Sequence, residues 1–232
     1  MLRDVRTFAL IGSLLAACAL PAPASARTVL LGRSWQGRPI QAIEVGDPSG
    51  TRVLVVGSIH GNETGGIAIA RALEQLSPRG LDLWIVPDLN PDGVAAGTRQ
   101  NSHGVDLNRN FPFRWRPMGG VYESGPRPLS EREARIAHTL ILRLHPHLTI
   151  WFHQPLGLVD GSKRSLALER RFARLSGLPL KQLKGRYPGA ATHWERHIIP
   201  GATAFVVELP GGTPSAARVD RYARAVLTVS TY

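Results

Sequence analysis

The stretch Val53–Thr64, VLVVGSIHGNET, decides the fold and points to the chemistry. Its first half is an apolar, β-branched run, the composition of a strand buried on both faces. It runs into His60-Gly61-Asn62-Glu63 at what reads as a strand-to-helix turn. On a tight turn, a His and a Glu separated by two residues can direct a nitrogen and a carboxylate oxygen at one point. A third ligand from elsewhere in the chain would then complete a catalytic zinc site with an open position. Taken alone, H-x-x-E occurs by chance in many proteins, so the rest of the chain has to supply the missing parts.

Working outward, Thr28–Leu31 and Pro39–Val45 are β-rich runs around Trp35-Gln36-Gly37-Arg38, which predicts a hairpin. Val53–Ile59 reads as the first central strand and Thr64–Leu76 as a helix, with Ile67, Ala68, Leu73 and Leu76 at helical spacing. Leu81–Pro87 is the next strand. Ser130-Glu131-Arg132-Glu133 reads as a capping box that opens a helix to Leu144. Leu148–Phe152 is a strand ending at His153, and Ser165–Leu175 a helix closing at Ser176-Gly177. Thr203–Leu209 is a buried strand ending at Glu208, and Thr213-Pro214 opens a final helix to Val229. Between Asp88 and Leu129 the chain is rich in Gly, Pro, Asn and Arg and shows little periodicity, which inside a compact domain marks a functional surface. Strands alternating with helices predict an α/β fold: one domain over residues 27–232, with a mixed, mostly parallel sheet and helices on both faces.

Composition sets the outer bounds. The 232 residues are 43% hydrophobic and 19% charged, a globular balance with length for a sizeable core. The formal charge is +11, carried mainly by scattered arginines, with Lys163, Lys181 and Lys184 the only lysines. No basic helix or aromatic-interleaved motif stands out, so the charge reads as attraction to anionic surfaces or acidic substrates, not to nucleic acid. Residues 1–26 read as an export signal: Arg3 and Arg6, an apolar stretch Phe8–Ala19, and Ala24-Ser25-Ala26 as a cleavage site. A competing reading takes Leu15-Ala16-Ala17-Cys18 as a lipoprotein box with Cys18 lipidated, the one way in which a membrane would be involved. Cys18 is the only cysteine, so the exported body holds no disulfide.

Several marked residues fall at strand ends: His60, Asn90, His153 and Glu208. In open α/β sheets the carboxyl ends of the strands form the ligand crevice. The stretches HGNE (60–63), NPDG (90–93), GTR (97–99), GVDLNRNFP (104–112), SEREA (130–134), WFHQP (151–155) and VVELPGG (206–212) cover nearly all the exported chain. In this order they resemble the zinc carboxypeptidase family, and within it the short murein peptide amidase branch.

The resemblance implies one Zn2+ ion held by His60, Glu63 and His153, and two imidazoles with one carboxylate suit a catalytic zinc. Read singly, His60 is equally a helix-capping residue, Glu63 a first-turn carboxylate favoured by the helix dipole, and His153 a core histidine. Glu208 matches the general base, and a carboxylate inside the apolar run Phe205–Leu209 is costly to bury without a purpose. Arg99 matches the residue that stabilises the developing oxyanion. Asn108 and Arg109 match the pair that grips a substrate carboxylate, and Asp106 matches the carboxylate that orients a zinc-bound histidine, here His60. Tyr187 stands near the place of a mobile family tyrosine, at a shorter spacing than in the large carboxypeptidases. Thr192 matches the lining of the specificity pocket. His103, His138, His145, His147, His193 and His197 are expected at the surface or in packing. The implied function is hydrolysis of an amide next to a free carboxylate in a peptide, an acidic murein peptide cut between γ-D-Glu and diaminopimelate. Alternatives are a general carboxypeptidase, an aspartoacylase-like zinc deacylase, and a non-enzymatic module that binds wall peptides. No G-x-S-x-G elbow and no Walker-type lysine occurs in the chain.

Overall fold

The computed structural model describes residues 26–162, 166–185 and 187–231. The export reading, including Cys18, and the expected helix start at Ser165 lie outside the described residues. Strands β1 (Arg27–Arg33), β2 (Pro39–Gly46), β3 (Thr51–Val56), β4 (Leu81–Val86), β5 (Leu148–His153), β6 (Leu156–Asp160), β7 (Leu180–Lys181) and β8 (Thr203–Pro210) form an 8-stranded sheet in the order β1-β2-β4-β3-β5-β8-β6-β7. The central strands β4, β3, β5 and β8 run parallel, while β1, β2 and β6 are attached antiparallel. Every residue of β4 and of β5 is buried, as expected for continuous apolar runs covered on both faces.

Alternate residues of each central strand feed two cores. Val53, Val55, Ile150 and Phe152 pack on one face against α1 (Gly65–Leu73), α4 (Leu166–Ser176) and α6 (Ala216–Ser230). Leu54, Val56 and Trp151 face the other way, toward α3 (Arg132–Leu144) and α5 (Ala191–Ile198). The α/β sheet with helices on both faces is therefore as the alternating pattern predicts. The hairpin also forms, with β1 and β2 paired around a turn in which Gly37 N–H donates to Ser34 O at 3.1 Å.

β3 ends at Val56, short of the expected Ile59, and a loop over 57–64 replaces a tight turn. The expected capping box does not form: α3 starts at Arg132 with Glu131 as an N-cap that makes no side-chain cap. Both carboxylates of the box are drawn away, Glu131 by Trp35 Nε1 at 3.0 Å and Asn101 Nδ2 at 2.8 Å, and Glu133 by Asn101 Nδ2 at 3.2 Å. Ser215, not Thr213, is the N-cap of the last helix. The segment from Asp88 to Leu129, read as aperiodic, contains a helix that was not expected, α2 (Pro91–Ala96), capped by the Asn90 side chain and ended by left-handed Gly97. Strands β6 and β7 and helix α5 were not foreseen.

Helix α5 is tied to the sheet through a buried acid. Glu195 is fully buried, hydrogen-bonded to the Thr149 hydroxyl and accepting from Trp151 Nε1 at 3.4 Å. Burial pushes its pKa up from 4.5 to about 7, only partly opposed by those hydrogen bonds. A carboxyl that holds its proton more tightly when folded stabilises the fold fully below its unfolded value of 4.5 and loses that contribution as pH rises through about 7. Stability is therefore expected to drop by on the order of 3 kcal/mol from this group between pH 5 and 8. Glu195→Gln, a neutral stand-in for the protonated acid, should remove that pH dependence, so the melting temperatures of the two proteins should lie together near pH 5 and separate toward pH 8, where the variant is the more stable.

Candidate active site and metal centre

The loop over 57–64 is held by backbone packed on backbone. A Cβ at Gly61 would lie 1.9 Å from the Gly93 carbonyl carbon, and one at Gly66 would lie 2.0 Å from Gly57 O. Only glycine allows either approach. Asn90 completes the clamp: its Nδ2 donates to Ile59 O at 3.2 Å and its Oδ1 accepts from Gly93 N at 3.0 Å. Asn90 is fully buried in this role, a scaffold residue behind the crevice and not part of its lining.

The clamped loop presents His60 and Glu63 to His153 at the end of β5. His60 Nδ1 lies 3.0 Å from Glu63 Oε2, His153 Nδ1 lies 2.8 Å from the same oxygen, and the two ring nitrogens are 3.2 Å apart. His60 Nε2 faces Asp106 Oδ1 at 2.9 Å, a geometry that assigns its proton there and leaves a lone pair on Nδ1. Two imidazole nitrogens and a carboxylate oxygen thus converge within 4.8 Å, a donor set and spacing that fit a divalent cation and zinc in particular. Burial alone would raise the Glu63 pKa, but the hydrogen bonds and charges of His153 and His60 overrule it and hold the carboxylate well below its ordinary range.

Asp106 is completely buried behind His60. Its Oδ1 also accepts from the Asn108 backbone N–H at 2.9 Å, and its Oδ2 accepts from Arg99 Nε at 2.9 Å. Burial would raise its pKa, yet the hydrogen bond and charge of His60, with Arg99 and Arg109 nearby, hold it down at about 2. Replacing such an orienting carboxylate typically costs 10–100-fold in metal affinity. Asp106→Asn is expected to weaken zinc binding by roughly that factor, read by competition with a chromophoric chelator.

Arg99 Nη1 donates to Glu63 Oε1 at 3.1 Å, so this guanidinium spans the ligand and the orienting carboxylate. Arg109 lies between two rings, 5.3 Å from Tyr122 and 5.4 Å from Tyr187. Asn108 spends its Oδ1 on the Ala191 N–H at 2.9 Å, which caps α5, and turns its Nδ2 toward His153 Nε2 at 3.4 Å. Glu208 ends up beside His153 in register across β5 and β8. Its Oε2 is buried with no hydrogen-bond partner, and burial raises its pKa, with His153 opposing the rise. All ten residues singled out in the sequence come together: nine line one cavity of about 280 Å³, and Asp106 lies directly behind it.

Tyr122 and Gln154 are among the lining residues that had escaped notice. Tyr122 also stacks over Arg99 at 5.4 Å, yet its sequence context carries no mark. Gln154 clips three segments together, accepting from Gly65 N at 2.7 Å and donating to Pro210 O and Gly212 O, each at 2.8 Å. Its one signal was adjacency to His153. His193, expected at the surface or in packing, also lines the cavity, brought there by α5. His138 and His197 do pack, on Trp194 and Phe113 at ring separations of 4.4 and 4.2 Å.

The zinc carboxypeptidase family model matches residues 11–153, a span that holds His60, Glu63, Arg99, Asp106, Asn108, Arg109 and His153 and stops before Glu208. The chain is 32% identical to murein peptide amidase A of Escherichia coli over 179 residues, 70% of this chain and 74% of that protein. It superposes on the murein-tripeptide amidase of Escherichia coli O157 with a TM-score of 0.75 and 26% identity, covering 93% and 94% of the two chains. Carboxypeptidase A of Helicoverpa armigera shares the fold at a TM-score of 0.74 and 18% identity, with 89% of this chain matched to 68% of that one.

Proposed function

We propose that this chain, which belongs to the zinc carboxypeptidase family, works after export on murein peptides and cuts the amide between γ-D-Glu and diaminopimelate. The protein is a metallohydrolase of the murein peptide amidase type, using one zinc ion. The observation that carries the finer reading is the end-to-end match to the tripeptide amidase, 94% of that chain, against 68% of the carboxypeptidase A. Export rests on the leader pattern of residues 1–26.

His60, Glu63 and His153 would hold the zinc ion, which would supply Lewis acidity toward the scissile carbonyl and a water molecule. Glu208 takes the proton of the attacking water on its unpartnered Oε2 and passes it to the leaving amine. Arg99, fixed on Asp106 and Glu63, sets positive charge where the carbonyl oxygen becomes negative. Arg109 offers a two-pronged grip for the carboxylate next to the cut, and Asn108, its Oδ1 already engaged, adds only its amide nitrogen. Tyr187 and Thr192 line the space for the departing residue. The net charge of +11 favours an acidic substrate.

The test uses the chain from Arg27 with and without a zinc chelator, given a murein tripeptide and, separately, an ordinary α-linked peptide. Diaminopimelate release from the murein peptide alone, abolished by chelator and read by mass spectrometry, is the expected result. Removal of the C-terminal residue from the ordinary peptide would make the protein a general carboxypeptidase. Cleavage of neither would overturn the proposed substrate.

A further inference from the structure

Away from the active-site cavity, a groove of about 320 Å³ runs between β1 and α3. Val29, Leu31, Ile136 and Leu140 form its apolar floor, and Arg33, Arg132, Arg135 and Arg143 stand around it. Among the described residues none of these four arginines is ion-paired. Arg33 and Arg135 donate to backbone carbonyls, while Arg132 stacks on Trp35 and Arg143 lies over Trp84. Four like charges around one groove repel one another until an anion neutralises them, and guanidinium matches phosphate oxygens in pairs. Leu30 extends the apolar surface outward, 55% exposed on the edge strand.

We propose that this groove is a docking surface for a bilayer of anionic phospholipid, with the arginines on the phosphate headgroups and Leu30 and the groove floor toward the acyl region. The apolar floor selects a lipid over a soluble phosphate, because hydrophilic phosphate gains nothing from it. Strand β1, the first element of the described fold, forms one wall of this groove.

The test is co-sedimentation of the zinc-loaded chain from Arg27, which carries the whole described fold, with phosphatidylglycerol and with phosphatidylcholine vesicles at 0.15 M salt. Binding to the first lipid and not the second is expected. Arg132→Glu with Arg143→Glu should weaken it at least tenfold, and Leu30→Ser severalfold. The same charge change on exposed α6, Arg218→Glu with Arg221→Glu, should shift it less than twofold. Equal loss from the α6 pair would mean diffuse charge attraction and overturn the proposal. Absence of vesicle binding, or full competition by millimolar inorganic phosphate, would overturn it too. Hydrolysis of soluble peptide, unchanged in every variant, checks that each is folded.

Discussion

Glu208→Gln is expected to lower kcat by roughly 10²–10⁴-fold, the range for loss of a positioned general base, with zinc content and melting temperature unchanged. The substitution keeps shape and burial. The Oε2 atom it alters makes no hydrogen bond within the protein, so the folded state loses no partner there. What disappears is the carboxylate beside His153: of the other two that line the cavity among the described residues, Glu63 is committed to the metal-ligand cluster and hydrogen-bonded to Arg99, and Asp160, on β6, accepts from the Leu183 N–H. Single-turnover rates with metal analysis on the same sample would decide it. A variant that retained full activity would end the assignment of Glu208 as the base.

His153→Ala is expected to reduce activity to that of chelator-treated protein and to abolish the effect of zinc on stability. With three ligands present, zinc at about 1,000 times its Kd adds on the order of 4 kcal/mol to folding. For a chain of this size that corresponds to roughly 10 °C in Tm. The wild type should therefore lose roughly 10 °C on chelation, while the variant should melt at one temperature with or without the ion. The measurement is a pair of thermal scans for each protein. A variant with an unaltered response to zinc would remove His153 from the coordination sphere.

Much of this site was legible because its parts are short and local. HGNE carries two ligands on one loop, and His153 and Glu208 each terminate an apolar run whose strand character is plain from composition. The unread portions depend on distant partners. Helix α5 has an alanine, Ala190, at its N-cap; its Ala191 N–H is capped instead by Asn108 Oδ1, 83 residues away in sequence. The expected capping box failed for the same kind of reason, since Trp35 and Asn101 outbid the helix backbone for Glu131 and Glu133. β6 begins right behind the site turn and contains Gly157 at a φ of 63°, which breaks the strand pattern; its pairing with β8 is what makes it a strand. Tyr122 reaches Arg99 and Arg109 from a region without periodicity, where no spacing rule applies.

The pairing of His153 with Glu208 on neighbouring strands has a consequence for how such an enzyme diversifies. Parallel strands keep a pitch of about 4.8 Å whatever the connecting chain does. The relation between the third ligand and the base is thus inherited from the sheet. Asp160, Leu183, Tyr187 and Thr192, which shape the far wall, sit on β6, on the chain between β7 and α5, and on α5 itself. New specificities can therefore be sought by exchanging those segments as replaceable fittings, while the reaction centre stays fixed hardware.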